Sequence, residues 1–301
     1  MKKILLVALL LSLMSSVIFA QPGTTGLTFL QLGVGARSLA MGEAYSAIAN
    51  DPSAMYYNPA AMSLSTSPQL LLMHKSWIQD TKTDYIAAQT YAGRFRFGVA
   101  VNSTGVDNIE YRTQPGPAEG TFTARNAAMG FSTSYSVNPA LAIGATFNYL
   151  YEKIFVNDAT GYGLNVGALY SGFFDTRFAL SINNLGSMNN LDSAATTLPT
   201  SFRLGAARTY DMESIAPNSD LTFAAEYVSY TSEHTNHLHF GAELDYEHTF
   251  AMRAGYLTGY DARSVTAGIG VRYRILTVDY AYAPFSNDLG TTHTFSLGFD
   301  F

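Results

Sequence analysis

Short segments in which apolar and polar residues alternate fill most of this chain, and this period of two constrains the fold more than any other feature. In residues 292–301, the odd positions from Phe295 to Phe301 carry Phe or Leu, whereas the even positions carry Thr, Ser, Gly and Asp. Residues 264–273 and 276–282 alternate in the same way. Because successive side chains of a strand point to opposite faces, each segment predicts a β-strand with one apolar and one polar face.

The alternation recurs, with turn residues between the segments, from about residue 68 to the end of the chain. It predicts about fourteen strands: 69–77, 83–92, 94–104, 126–137, 141–154, 161–171, 176–186, 199–210, 220–231, 236–246, 249–257, 263–273, 275–284 and 292–301. Segments of about ten residues and an even strand number are typical of bacterial outer-membrane barrels. The fold class that we predict is therefore all-β, a transmembrane antiparallel barrel.

The composition separates this barrel from other classes of protein. A soluble β-sandwich also alternates, but its solvent face carries charge, whereas only 13% of these residues are charged and the polar faces are mostly Ser, Thr, Gly and Asn. The net charge of −6 and the lack of a basic cluster exclude nucleic acid as a partner. The chain has no cysteine, which excludes disulfides and thiolate chemistry.

Two segments precede the predicted strands. Residues 1–20 combine Lys2 and Lys3 with an apolar run that ends at Ala20, which predicts a removable signal peptide and export. Residues 21–67 do not alternate. They contain Asp51-Pro52-Ser53 and Asn58-Pro59-Ala60, in which an Asx side chain followed by Pro favours the start of a short helix. We therefore expect a plug-like segment with helical turns at 21–67 and a barrel at 68–301.

Three motifs of this segment carry a family resemblance: FLQLGVGARSLAMG at 29–42, AIAND at 47–51 and YYNPA at 56–60. Together they resemble the N-terminal signature of the PorV/PorQ family of outer-membrane proteins, which is similar in fold to the FadL transporters. The resemblance implies a barrel of about fourteen strands with the N-terminal segment folded into or against it. The signature residues that it assigns to the plug are Gly35, Arg37, Met41, Gly42, Asp51, Asn58 and Pro59.

The resemblance also implies a function and a location. Its better-understood members act in type IX secretion, so we expect a non-enzymatic accessory of protein export or a docking component in a Gram-negative-type outer membrane. The partners would be outer-membrane lipid, the barrel-assembly machinery and a secretion translocon or exported proteins. The alternative is a FadL-like channel for the uptake of hydrophobic small molecules.

Charged residues fall on the polar, inward face of the last strands. They are Glu226, Glu243, Asp245, Arg253, Arg272, Asp279 and Asp300. They could form a polar pathway or docking surface, or a salt-bridged lumen that braces the barrel and binds plug residues such as Arg37 and Asp51. We favour the second interpretation because charges in a narrow barrel need partners.

Neither a metal site nor catalysis is expected. His237, His239 and Glu243 share a strand face, with His234 and His248 near its ends, but hydrated histidines are commoner than such a metal site. No Gly-x-Ser-x-Gly elbow occurs, and no nucleophile stands beside an obvious base. We expect no enzyme activity, no metal and no cofactor.

The chain ends are also informative. Phe299 and Phe301 end a strand with aromatic residues at every second position, as in the C-terminal signal read by the outer-membrane assembly machinery.

Two strand-poor stretches, 105–125 and 187–198, are candidate partner-docking loops or simple solvated connections.

Overall fold

A computed structural model describes residues 26–191 and 196–301, so the signal peptide expected at 1–20 lies outside the described residues. Fourteen antiparallel strands form a closed barrel in which each strand pairs with its neighbours in sequence and β14 pairs with β1. The strands are β1 Gln69–Ser76, β2 Lys82–Ala92, β3 Phe95–Tyr111, β4 Gly120–Ser136, β5 Leu141–Ile154, β6 Asn157–Ser171, β7 Thr176–Met188, β8 Ser201–Asp211, β9 Asp220–Tyr230, β10 Thr235–Tyr246, β11 Phe250–Leu257, β12 Val265–Tyr273, β13 Leu276–Pro284 and β14 Thr291–Asp300.

The predicted fold class is confirmed, and one prediction about a loop is wrong. The stretch 105–125 is mostly strand, because β3 and β4 continue to Tyr111 and from Gly120 and leave only residues 112–119 as their connection. A register shift between Val106 and Ile109 lets the two strands stay paired through this less regular sequence. Such a bulge inserts extra residues into one strand, which breaks the simple alternation that the sequence argument needed.

The two ends of the barrel differ. We call one end of the barrel the turn end. The first strand, β1, begins there and the last strand, β14, ends there, and it carries the β2–β3, β4–β5, β6–β7, β8–β9, β10–β11 and β12–β13 connections. The opposite end, here called the loop end, carries the other connections. In outer-membrane barrels the short turns face the periplasm and the longer loops face outward, which sets the expected orientation.

The outward face of the wall is apolar. Phe131, Phe147 and Phe295 are each more than half exposed, whereas the inward Ser132 and Thr294 beside two of them are polar and buried. In a barrel of this kind the lipid hydrocarbon covers such a face. The apolar half of each alternating segment is therefore explained by contact with lipid, not by a protein core.

Residues 26–67 occupy the lumen and are here called the plug. They contain helix α1 (Ala36–Ala40), helix α2 (Ala54–Tyr57) and two 3-10 segments, Thr28–Gln31 and Pro59–Leu64. The buried core of the molecule forms where plug residues such as Met55 and Tyr57 pack on inward wall residues. In the described ranges, no helix has the length and apolar character required to cross a membrane.

The two Asx-Pro motifs behave differently. The Asn58 side chain accepts a hydrogen bond from the Ala60 amide, with Pro59 in the first turn, as expected of a helix start. Asp51 accepts one from the Ser53 amide instead, so it forms an Asx turn before α2 begins at Ala54.

The plug meets the wall so closely that glycine is required at the contact. Gly42 has φ of +61°, and a Cβ atom there would lie 2.9 Å from the Phe240 carbonyl oxygen. On the facing strand β11, a Cβ atom at Gly255 would lie 2.1 Å from the Gly42 nitrogen. Backbone therefore packs on backbone at this point, which fixes the depth of α1 in the lumen.

Candidate functional site

A chain of ion pairs joins the plug to the wall near the turn end. The Arg37 guanidinium of α1 donates to both carboxylate oxygens of Glu243 on β10, at 2.7 and 2.6 Å. Arg253 of β11 donates to the same Glu243 at 2.5 Å and to Asp279 of β13 at 2.6 Å. Because Glu243 takes two cations and Arg253 takes two carboxylates, the network leaves these buried charges paired across β10, β11 and β13.

A second carboxylate holds the plug by its backbone. One oxygen of Glu226 on β9 accepts hydrogen bonds from the Tyr45 and Ser46 amides, at 3.0 and 2.8 Å. The other oxygen accepts one from Arg203 of β8, at 2.7 Å. Arg203 and Glu226 are both almost fully buried, so the wall supplies a neutralised acceptor at the point where the plug turns after α1.

Near the loop end, Glu43 of the plug binds Arg263, which lies in the β11–β12 connection, at 2.7 Å. Burial alone would raise the pKa of Glu43, but the positive charge of Arg263 and the neighbouring cations lowers it to about 2. The Arg263 guanidinium also lies 5.8 Å from the ring of Trp77, the single tryptophan of the chain. Lys75 lies over the same ring and donates to the Gly33 carbonyl.

His237 and His239 face the lumen as expected, but their partner is an aromatic residue of a loop. The Tyr260 ring stacks on His237 at 3.9 Å, and its hydroxyl lies 3.1 Å from Nε2 of His239. Within the described part of the chain, no three His, Asp or Glu side chains are placed to hold a metal ion. The histidines are therefore part of the contact between β10 and the β11–β12 connection.

The structure brings only some of the sequence-selected residues together. Asp245 pairs with Arg272 at the half-exposed rim of the turn end, at 3.1 Å, and Asp300 accepts a hydrogen bond from Gln69 at 2.5 Å. Asp51 stays within the plug, where it accepts a hydrogen bond from Tyr45. Gly35, Met41, Asn58 and Pro59 all lie in the plug, and Phe299 and Phe301 lie at the end of β14.

Sequence reasoning missed several charged residues that are buried or nearly so, and four of them fall into two kinds. Arg203 and Lys75 occupy inward positions of β8 and β1, so the alternation itself could have identified them. Glu43 and Arg263 lie outside the strands, in segments without a period, and no sequence signal connects them.

An apolar cluster fills the lumen towards the loop end. It joins Leu27, Phe29 and Leu30 of the plug to Leu150 of β5 and Leu198 of the β7–β8 connection. The start of this plug segment is held to that connection by a backbone hydrogen bond from Gly26 to Thr197. Apolar side chains thus replace the charged network in this part of the lumen.

The wall beside this cluster is interrupted. The pairing of β7 with β8 ends at Asn183 and Ser201, although β7 continues to Met188. Beyond that point, side-chain bonds replace the ladder: the Asn184 amide donates to the Pro199 carbonyl, and the Thr200 hydroxyl donates to the Asn184 carbonyl. Asn184 has φ of +62° and lies at a register shift between β6 and β7.

A cavity of about 30 Å³ remains between the apolar cluster and the middle of the plug. Plug residues Leu30, Met55 and Tyr56 and inward wall residues such as Asn102 and Asn148 line it. A space of that size admits water but no hydrocarbon ring. Passage of a larger molecule through this part of the lumen therefore requires the plug to move.

The closed fourteen-strand antiparallel barrel matches the fold of FadL-like outer-membrane barrels. Three solved structures resemble it at full length. The CymD monoaromatic hydrocarbon channel is 14% identical, with a TM-score of 0.64, and the match covers 92% of this chain and 99% of that one. The toluene transporter TodX of Pseudomonas putida is 14% identical, with a TM-score of 0.63 and coverage of 88% and 96%. A FadL homologue of Pseudomonas aeruginosa is 15% identical, with a TM-score of 0.56 and coverage of 95% and 100%.

Sequence comparison adds one match. Residues 14–161 match the model of an uncharacterised protein family, UPF0164. A search of curated proteins found no match. The structural comparisons support a FadL-like fold for this chain, and two of the three neighbours are named as a channel and a transporter. Membership of PorV/PorQ stays a prediction.

Proposed function

We propose that this protein is an outer-membrane channel for small hydrophobic molecules. The observation that carries the proposal is the apolar cluster of Leu27, Phe29, Leu30, Leu150 and Leu198, which lies directly beside the interrupted β7–β8 wall. An apolar molecule that reaches this cluster from the loop end stays out of water, and binding sites for such molecules are concave and mostly apolar.

The interrupted wall supplies the route out of the cluster. A complete ladder joins two strands by backbone hydrogen bonds along their whole length, whereas here two side-chain bonds join Asn184 of β7 to Pro199 and Thr200. Opening this seam costs fewer backbone hydrogen bonds than opening the wall elsewhere. A molecule leaving by this seam would enter the hydrocarbon of the membrane instead of the water-filled space beyond the turn end.

The plug acts as the gate in this proposal. Between the apolar cluster and the middle of the plug the cavity measures about 30 Å³, so the segment that carries Leu27 to Leu30 has to leave the cluster before a ring can enter. The charged network around Arg37 and Glu243 lies on the other side of the plug and keeps the rest of it attached. The names of the neighbours, a monoaromatic hydrocarbon channel and a toluene transporter, add independent support for this substrate class.

A reversible staple tests the gate. A Cβ atom at Gly26 would lie 3.5 Å from the Cβ atom of Thr196, within the range of a disulfide. The chain has no cysteine of its own, so Gly26→Cys with Thr196→Cys adds a single defined cross-link. We expect cells that express this variant to take up radiolabelled toluene at the empty-vector rate when oxidised and at the wild-type rate after reduction.

A matched staple within the wall is the control. A Cβ atom at Gly130 lies 3.9 Å from that of Ala100, its partner across β3 and β4, so Ala100→Cys with Gly130→Cys cross-links two wall strands and forms no covalent link to the N-terminal segment. This variant should transport in both redox states. Wild-type cells that accumulate toluene no faster than the vector control, together with recovery of exported proteins on the purified barrel, would instead favour the export role.

A further inference from the structure

An apolar groove of about 520 Å³ crosses the outward face of the wall from β8 to β11. Its floor consists of alanines that lie side by side across the strands, with Ala225 opposite Ala206 and Ala242 opposite Ala254. Larger side chains border the floor: Phe223, Phe240 and Tyr256, each close to half exposed. The groove is therefore a depression in the surface that faces lipid, separate from the lumen.

A cation lies at the turn end of this groove. Arg208 lines the groove and shares the outward face of β8 with Leu204, Ala206 and Tyr210. Its guanidinium lies 4.8 Å from the Tyr210 ring. Among residues 26–191 and 196–301, no side chain or carbonyl forms an ion pair or hydrogen bond with the Arg208 guanidinium, and its Nε atom is buried without a partner.

The position of Arg208 determines which negatively charged group can pair with its guanidinium. It lies three residues before β8 ends at Asp211 and next to a tyrosine, at the level where aromatic rings of a barrel meet the headgroups. A lipid-facing arginine costs about 2–4 kcal/mol at the bilayer midplane and close to none at the interface. At this level the available counter-charge is the phosphate of a membrane lipid, which a guanidinium binds with two parallel hydrogen bonds.

We propose that this groove is a specific binding site for one glycerophospholipid from the leaflet at the turn end. The phosphate pairs with Arg208, and an acyl chain runs along the floor of Ala206, Ala225, Ala242 and Ala254. The charge selects this occupant, because an apolar segment of a second copy or of another protein would fill the groove and leave Arg208 unpaired in a lipid environment. The site is independent of what passes through the lumen.

The test is lipid binding to the purified full-length barrel in mild detergent, titrated with dioleoyl phosphatidylglycerol and followed by native mass spectrometry. We expect one lipid to bind more tightly than the rest. Arg208→Gln should weaken this binding about tenfold, the loss of a charged hydrogen-bonded contact. Ala225→Leu, which fills the floor and keeps the charge, should weaken it to a similar extent. Dioleoylglycerol, which has the same chains without phosphate, should bind wild type no better than Arg208→Gln binds phosphatidylglycerol.

The control is Arg274→Gln. Arg274 also stacks on a tyrosine at the turn end, 5.3 Å from the Tyr273 ring, but it lies outside the groove. This variant should bind lipid as the wild type does, and heat-modifiable migration on gels should show that all variants are folded. Wild-type affinity in Arg208→Gln, or equal loss in Arg274→Gln, would overturn the proposal. A dimer that Ala225→Leu converts to a monomer would also overturn it, since the occupant would then be a second copy.

Discussion

Arg37 of the plug donates two parallel hydrogen bonds to Glu243 of the wall, across 206 residues of sequence. Glu243 also accepts from Arg253, which continues the network to Asp279. The plug is thus attached to the barrel by a carboxylate that two arginines share, and the removal of that carboxylate leaves both cations short of a partner.

Replacement of Glu243 by Gln should therefore strongly destabilise the assembled barrel. The loss of one partner from a buried ion pair costs about 3–5 kcal/mol. The temperature at which the compact band converts to the unfolded band on gels should fall clearly below that of the wild type. Asp245→Asn is the matched control, since Asp245 pairs with Arg272 at the rim, where 34% of the arginine side chain is exposed. A rim pair contributes about 0–1 kcal/mol, so equal shifts for the two variants would contradict the assignment.

The link between Glu43 and Arg263 should respond to acid. The pKa of Glu43 lies at about 2 in the folded protein, below its ordinary value of 4.5. Because the pKa of Glu43 is lower in the folded protein than in the unfolded chain, its ionisation stabilises the folded state at pH values above about 4.5. This stabilisation is lost as the pH falls from about 4.5 to about 2. Trp77 reports on the link because Arg263 lies over its ring. Its emission should change as the pH approaches 2, where Glu43 takes up a proton in the folded state.

The control for this titration is Glu43→Gln, which cannot lose a proton. Its Trp77 emission should be flat over the same range, apart from any change that both proteins share. An identical acid transition in the variant would show that another group, not Glu43, responds to pH.

Gly42 should be far less tolerant of alanine than Gly93. Both have φ close to +60°, so Gly42→Ala and Gly93→Ala pay the same backbone penalty of about 1–2 kcal/mol. Only Gly42 faces backbone atoms within 3.0 Å, whereas a Cβ atom at Gly93 meets nothing within 4 Å. The difference between the two variants in the gel-shift temperature measures the contact between plug and wall. Equal shifts would mean that the plug is free to move away from β10 and β11.

Deletion of Phe301 should impair assembly without affecting the stability of barrels that do form. Its side chain is 69% exposed, and its amide donates to the Pro68 carbonyl, so little packing is lost. The measurement is the fraction of compact, heat-modifiable protein in the membrane at equal expression. Phe295→Ala removes a ring of similar exposure from the middle of β14 and should assemble normally. Normal assembly after the deletion would remove the basis for a C-terminal signal.

The alternation located the strands well because lipid on one side and a polar lumen on the other impose the same period on every strand. It failed where strand geometry is irregular, as at the bulge between Val106 and Ile109, which hid the extensions of β3 and β4. The candidate site followed the same division. Glu243, Arg253 and Asp279 could be selected because they lie on inward positions, and the sequence also predicts Arg37 as a plug partner. Which of the three binds Arg37 could not be predicted, because the pairing with Glu243 depends on how deep α1 sits.

The sequence by itself determined a fourteen-strand barrel, which side of each strand meets lipid, and which charges have to share the lumen, because these properties repeat at fixed local spacing. Only the tertiary structure decided that Glu43 meets Arg263, that Leu27 meets Leu198 and that the β7–β8 ladder stops at Asn183. The physical reason is that the plug has no period of its own. Its position follows from backbone contacts such as Gly42 on Gly255 and from ion pairs that close over long stretches of chain, and neither leaves a mark in the local order of residues.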